Sequence, residues 1–73
     1  MWQDRITTDE NILSGKPVIK DTRIAVELIL DLLAEGWKTG EILTNYPQLT
    51  EEDIFAALKY SSEVIKKEKI FAL

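Results

Sequence analysis

Ile24 to Ala34 is apolar at every position except Glu27 and Asp31, and no other stretch constrains the fold as much. Glu35 continues the four-residue spacing of those two acids. On a helix of 3.6 residues per turn the three acids form one narrow polar stripe, and most of the circumference is left apolar. A helix of that kind has to be surrounded. In a chain of 73 residues the other segments must wrap it, and a second copy is expected to help.

Size sharpens this demand. A single domain this short buries only roughly 60–65% of its unfolded surface. The chain has no cysteine, so neither a disulfide nor a thiolate metal site is available. Small scaffolds without such staples depend on close helix packing or oligomerisation. Histidine is also absent, which removes the commonest general base and metal ligand. An enzyme is therefore not expected; carboxylate-based, metal-dependent chemistry is the one catalytic alternative left. No cofactor, metal or small-molecule substrate is expected. No apolar run reaches the ~18 residues of a membrane span. The opening MWQDRITTDE lacks the apolar core of a secretory signal, so a cytoplasmic protein is expected.

The net charge is −4, but it is unevenly distributed. Residues 1–23 carry four basic and four acidic side chains, residues 24–58 one Lys against seven acids, and residues 59–73 four Lys against two Glu. The middle is acidic and the ends are relatively basic.

The chain reads as one domain, with an extended arm (1–24), a three-helix unit (25–67) and a tail (68–73). Trp2–Thr8 is expected to form a short strand, since Ile6, Thr7 and Thr8 favour extended backbone. Ile12 and Leu13 are expected to pin the arm to the core. Pro17–Lys20 reads as a second strand, with Pro at its tolerated first position. Two strands this short are marginal alone, and a ribbon shared across a dimer would steady them. Asp21-Thr22 forms a kink before the first helix, about Ala25 to Glu35, with Gly36 as a left-handed terminator. Thr39 is the expected cap of a second helix that Pro47 ends. Thr50 and Asp53 are a start signal for the third, reaching about Lys67. There Ile54, Ala57, Leu58, Ser61 and Ile65 recur at three and four residues as a core stripe, widened by Phe55, Ala56, Tyr60 and Val64.

The last two helices have the proportions of a helix-turn-helix. The start of the third carries Glu51, Glu52 and Asp53, which DNA phosphates would repel. The better cations for DNA are Arg5, Lys16, Lys20 and Arg23 on the arm, with Lys59 on the third helix. Ordinary mixed-sign surface charge is the competing explanation. At the other end Val64, Ile65, Lys66, Lys67, Lys69, Ile70, Phe71 and Leu73 combine cations with apolar side chains, as a site for an acidic protein partner or a second subunit would. A capped and fraying helix end explains the same residues equally well.

Ile12-Leu13-Ser14-Gly15-Lys16-Pro17-Val18-Ile19-Lys20-Asp21-Thr22-Arg23-Ile24 closely resembles a pattern of the prokaryotic DUF433 family: a Gly-Lys-Pro-hydrophobic-Ile segment followed by a Gly-Thr-Arg-Ile-Pro-Val-like joint. Tyr46-Pro47-Gln48-Leu49-Thr50-Glu51-Glu52-Asp53-Ile54 matches a second family motif in the right order, and the resemblance spans roughly residues 4–65. Asp21 stands where Gly is usual and Ala25 where Pro is usual. Asp tolerates left-handed backbone better than most residues, so the joint is expected to survive. The resemblance implies a mainly α, homeodomain-like or winged trihelical helix-turn-helix domain with a short N-terminal β element. It also implies an antitoxin-type role, binding a PIN-like ribonuclease toxin and operator DNA; the homodimer is expected from the apolar first helix and the short strands. A protein-interaction adapter that does not bind DNA is the alternative.

Overall fold

The computed structural model describes residues 1–68. A 3-10 turn at Trp2–Arg5 leads into β1 (Ile6–Thr7). A second 3-10 turn at Leu13–Gly15 precedes β2 (Val18–Ile19). Three helices follow: α1 (Val26–Ala34), α2 (Thr39–Asn45) and α3 (Glu51–Glu68). The domain is mainly α with a small β element, as the sequence predicts, and compatible with a trihelical fold.

The arm differs from expectation in two ways. Trp2–Arg5 is a helical turn, so the strand expected over residues 2–8 is confined to Ile6–Thr7. Tertiary contacts account for the difference. The Trp2 ring meets Tyr60 edge-on at 6.3 Å, and Arg5 reaches Asp53. The ribbon also closes within one chain rather than across a dimer. β1 and β2 pair antiparallel, with Ile6 opposite Ile19 and Thr7 opposite Val18. The far edge of β2 is paired too. The Ile19 N–H donates to the Ile24 carbonyl at 2.9 Å, and the Val26 N–H donates to the Pro17 carbonyl at 2.9 Å. Pro17 lacks an N–H, but its carbonyl remains available, so it fits at the strand's first position. Leu13 does not pin the arm; it is exposed, while Ile12 is half-buried.

Asp21 makes the joint into α1 possible. It closes the turn in which the Thr22 N–H donates to the Ile19 carbonyl, and its φ is +64°. Asp tolerates left-handed backbone because its short polar side chain bonds locally. Thr22 locks the turn: its hydroxyl donates to the Ile19 carbonyl at 2.7 Å and accepts the Ile24 N–H at 3.0 Å.

Helix α1 ends as expected at Gly36, whose φ is +95°. The Gly36 N–H donates to the Leu33 carbonyl and the Trp37 N–H to the Leu32 carbonyl, the paired bonds of a Schellman cap. Helix α2 is not capped by Thr39. Lys38 is the capping residue, and its N–H donates to the Glu41 carboxylate at 2.9 Å. Helix α3 opens with the expected reciprocal pair. The Thr50 N–H donates to Asp53 Oδ2 at 2.9 Å, and the Asp53 N–H donates to Thr50 Oγ1 at 3.3 Å.

The core joins Ile19, Ile24, Val26, Ile29, Leu32, Ile42, Leu49, Ile54 and Ala57. Glu27, Asp31 and Glu35 face solvent as the polar stripe of α1. The expected stripe of α3 is only partly in the core. Ile54, Ala56 and Ala57 are buried, whereas Phe55, Leu58 and Ile65 are 56%, 44% and 48% exposed.

Candidate binding surfaces

The arm cations divide into two groups. Arg5 Nη1 donates to Asp53 Oδ1 at 3.1 Å and lies 3.4 Å from Thr50 Oγ1. Arg5 therefore ties the arm to the start of α3. Lys16 Nζ donates to Glu27 Oε1 at 2.7 Å, joining the leader to α1. Lys20 and Arg23 are exposed on the turn before α1. Strand pairing brings Arg5 next to Lys20, because the Lys20 N–H donates to the Arg5 carbonyl at 2.8 Å. Arg5 and Lys20 line one open depression with Asp4, Asp21, Gln48 and Asp53; Lys20 and Arg23 line a second with Asp9, Asp21 and Gln48. Neither contains Lys16 or Lys59. Both are mixed in sign, so neither concentrates positive potential as a phosphate-binding cleft would.

The Lys16 ammonium is held above the ordinary lysine pKa, first by its hydrogen bond to Glu27 and then by that carboxylate's charge. A lysine pKa raised on folding contributes stability below the unfolded value, and that contribution is lost as pH rises through the folded value. Both side chains are largely exposed, so the gain is small. In thermal melts from neutral to alkaline pH, wild type should hold a slight advantage over Lys16→Gln that vanishes only in the alkaline range. An advantage that persists unchanged there would trace it to something other than the ion pair.

A groove between α1 and the second half of α3 is of a different kind. Pro17, Val26 and Leu30 form one wall, and Tyr60, Val64 and Ile65 the other, around a cavity of about 380 Å³. Val64 and Ile65 were expected from the sequence to meet a partner. The opposite wall was not, although the four-residue spacing of Val26 and Leu30 puts them on one helix face. Lys66 lies 3.5 Å from Glu63 on the exposed side of α3. Lys67 is exposed as well. Lys69, Ile70, Phe71 and Leu73 lie outside the described residues.

Among the described residues no group of three acids could hold a metal ion. None of their helices is long and apolar enough to cross a membrane.

The family described as "Protein of unknown function (DUF433)" matches residues 6–61. The chain belongs to the DUF433 family. A crystal structure of a DUF433 member protein from Anabaena variabilis superposes with a TM-score of 0.79 at 35% identity, covering 90% of this chain and 68% of that one. No curated protein matches the chain. The matched span of this DUF433 protein takes in the arm from Ile6 onward, all of α1 and α2 and the first half of α3. The α3 wall of the apolar groove lies partly beyond it, at Val64 and Ile65.

Proposed function

We propose that this DUF433 protein is a non-enzymatic, antitoxin-type binding protein that holds and neutralises a toxin of the PIN-like ribonuclease class. The observation that carries this reading is the open apolar groove between α1 and α3, where Leu30, Tyr60, Val64 and Ile65 converge. Such a groove takes apolar anchors from a partner segment, and anchors in desolvated pockets supply most interface energy. Lys66 and Lys67 follow the groove-lining Val64 and Ile65 directly along α3, and Lys69 follows in the sequence. A metal-dependent ribonuclease gathers carboxylates around its ion. The lysine cluster is of opposite sign to such a site, so the contact would occupy the nuclease where its charge is concentrated.

In the same reading the protein represses its own operon, using Lys20, Arg23 and Lys59 against operator phosphates. The adapter that does not contact DNA has specific support of its own. Glu51 and Glu52 are exposed at the start of α3, the end of a recognition helix that would enter the groove. Arg5 and Lys16 are committed to ion pairs.

Co-expression of the tagged chain with the product of the adjacent gene tests the proposal. Retention of a small PIN-like nuclease is expected. Leu30→Asp, Val64→Asp and removal of residues 66–73 should each weaken that complex by about tenfold or more, with circular dichroism confirming the fold. Failure to retain the nuclease, or equal retention by all three variants, would overturn the proposal. A gel shift on promoter DNA separates the two versions. Autorepression predicts binding that falls steeply with salt, and no shift at low salt leaves the adapter.

A further inference from the structure

Helix α3 has two apolar faces, and among the described residues only one of them packs against the rest of the domain. Ile54, Ala57, Ser61 and Val64 turn toward the rest of the domain. The 3-10 turn at Trp2–Arg5 and α1 both pack against α3. The remaining side carries Phe55, Leu58, Ser62 and Ile65, at intervals of three, four and three residues. That is the spacing by which one helix seats a second along a coiled-coil seam. The three large side chains of this stripe are about half exposed, at 56%, 44% and 48%. An isolated exposed leucine needs no explanation, but a continuous stripe at seam spacing does.

Two features point to the occupant. The stripe is palindromic about residue 60, so that in an antiparallel pair Phe55 faces Ile65 and Leu58 faces Ser62. A large side chain then meets a smaller one at each level. The charge pattern favours the same direction. Glu51 and Glu52 are exposed in the first turn of α3, and Lys66 and Lys67 are exposed in its last turn, Lys66 within 3.5 Å of Glu63. Antiparallel pairing brings the acidic end of one helix to the basic end of the other; parallel pairing sets like against like. The helix dipoles also oppose favourably when antiparallel.

We infer that α3 pairs antiparallel with α3 of a second copy of this chain, about a two-fold axis near residue 60, through Phe55, Leu58, Ser62 and Ile65. The interface is isologous, so it closes as a dimer and does not propagate. It goes beyond the toxin-binding reading and is independent of it. Val64 faces the groove from α3 and Leu30 faces it from α1, so the groove remains open, and Ile65 borders both surfaces.

The test uses the full chain. Light scattering should give twice the 8.4 kDa chain mass for wild type. Leu58→Glu should give a single chain mass with unchanged circular dichroism, because Leu58 is not in the core. Charge reversal at Lys66 and Lys67 should weaken the dimer, and adding Glu51→Lys and Glu52→Lys should restore it. The chain has no cysteine, so single cysteines report direction cleanly. A mixture of Leu58→Cys and Ser62→Cys chains should oxidise to the mixed disulfide. A wild type of single chain mass, its stripe left bare or covered by another protein or by its own tail, would overturn the inference. So would a dimer indifferent to Leu58→Glu, or one whose Ser62→Cys chains link only to each other.

Discussion

Ile29→Ala should cost about 3–4 kcal/mol and leave the domain close to its unfolding threshold. Ile29 is fully buried, at the middle of α1 and within the core shared by all three helices and β2. Removing its side-chain carbons forfeits their burial and leaves a void that packed neighbours fill only in part. The cost is large relative to what a domain this size has. At ~0.05–0.15 kcal/mol per residue, 73 residues provide about 4–11 kcal/mol in total. Urea unfolding followed by circular dichroism should show a much lower midpoint with a similar slope. Asp31→Ala on the exposed stripe of the same helix should stay within about 0.5 kcal/mol of wild type. Equal effects at the two positions would mean that the core is not organised around α1.

The second large effect is expected at Asp53, the only buried charged or polar side chain among the described residues. One carboxylate does two jobs. Oδ2 accepts the Thr50 N–H at the start of α3, and Oδ1 accepts from Arg5 of the arm. Loss of a helix cap costs about 1 kcal/mol, and loss of a hydrogen bond to a charged group about 1.5–3. Arg5 is 42% exposed and can turn to water, so its share is discounted. Asp53→Ala should therefore cost about 2–3 kcal/mol and lower Tm by roughly 10–20 °C. Arg5→Met leaves the cap intact and should cost less than half as much. If Arg5→Met were as damaging as Asp53→Ala, the arm contact would dominate and the cap would be secondary.

Asp53 also bears on function. Sequence reasoning could treat Arg5 as a free cation for DNA and Asp53 as a repulsive one. The folded chain cancels the two against each other across 48 residues of sequence separation. Lys16 is likewise neutralised by Glu27, 11 residues away. No local pattern in the sequence announces either pair, because each depends on where the arm docks against the helices. Among the described residues, Lys20 and Arg23 are the arm cations left facing solvent without an ion pair.

Much of the architecture was legible from local chemistry. The polar stripe of α1, the left-handed Gly36, the Thr50–Asp53 start of α3 and the kink at Asp21-Thr22 each depend on a few neighbouring residues. Their energetics are complete within one turn of chain, so they survive whatever the tertiary fold does. The left-handed backbone at Asp21 is expected from the family resemblance, where Gly is usual. The strand expected over Trp2–Thr8 did not hold in its first half, because Trp2 and Arg5 gain more by packing on α3 than by extending.

For α3 the sequence determined that there would be a long helix carrying apolar residues at three- and four-residue intervals. It did not determine which of them the core would take. That spacing generates two neighbouring apolar faces, one through Ile54, Ala57 and Ser61 and one through Phe55, Leu58 and Ile65. Periodicity is unchanged by rotating the helix about its axis. Only the docking of α1 and the arm selects a rotation, and it buries the first face and leaves the second open to solvent.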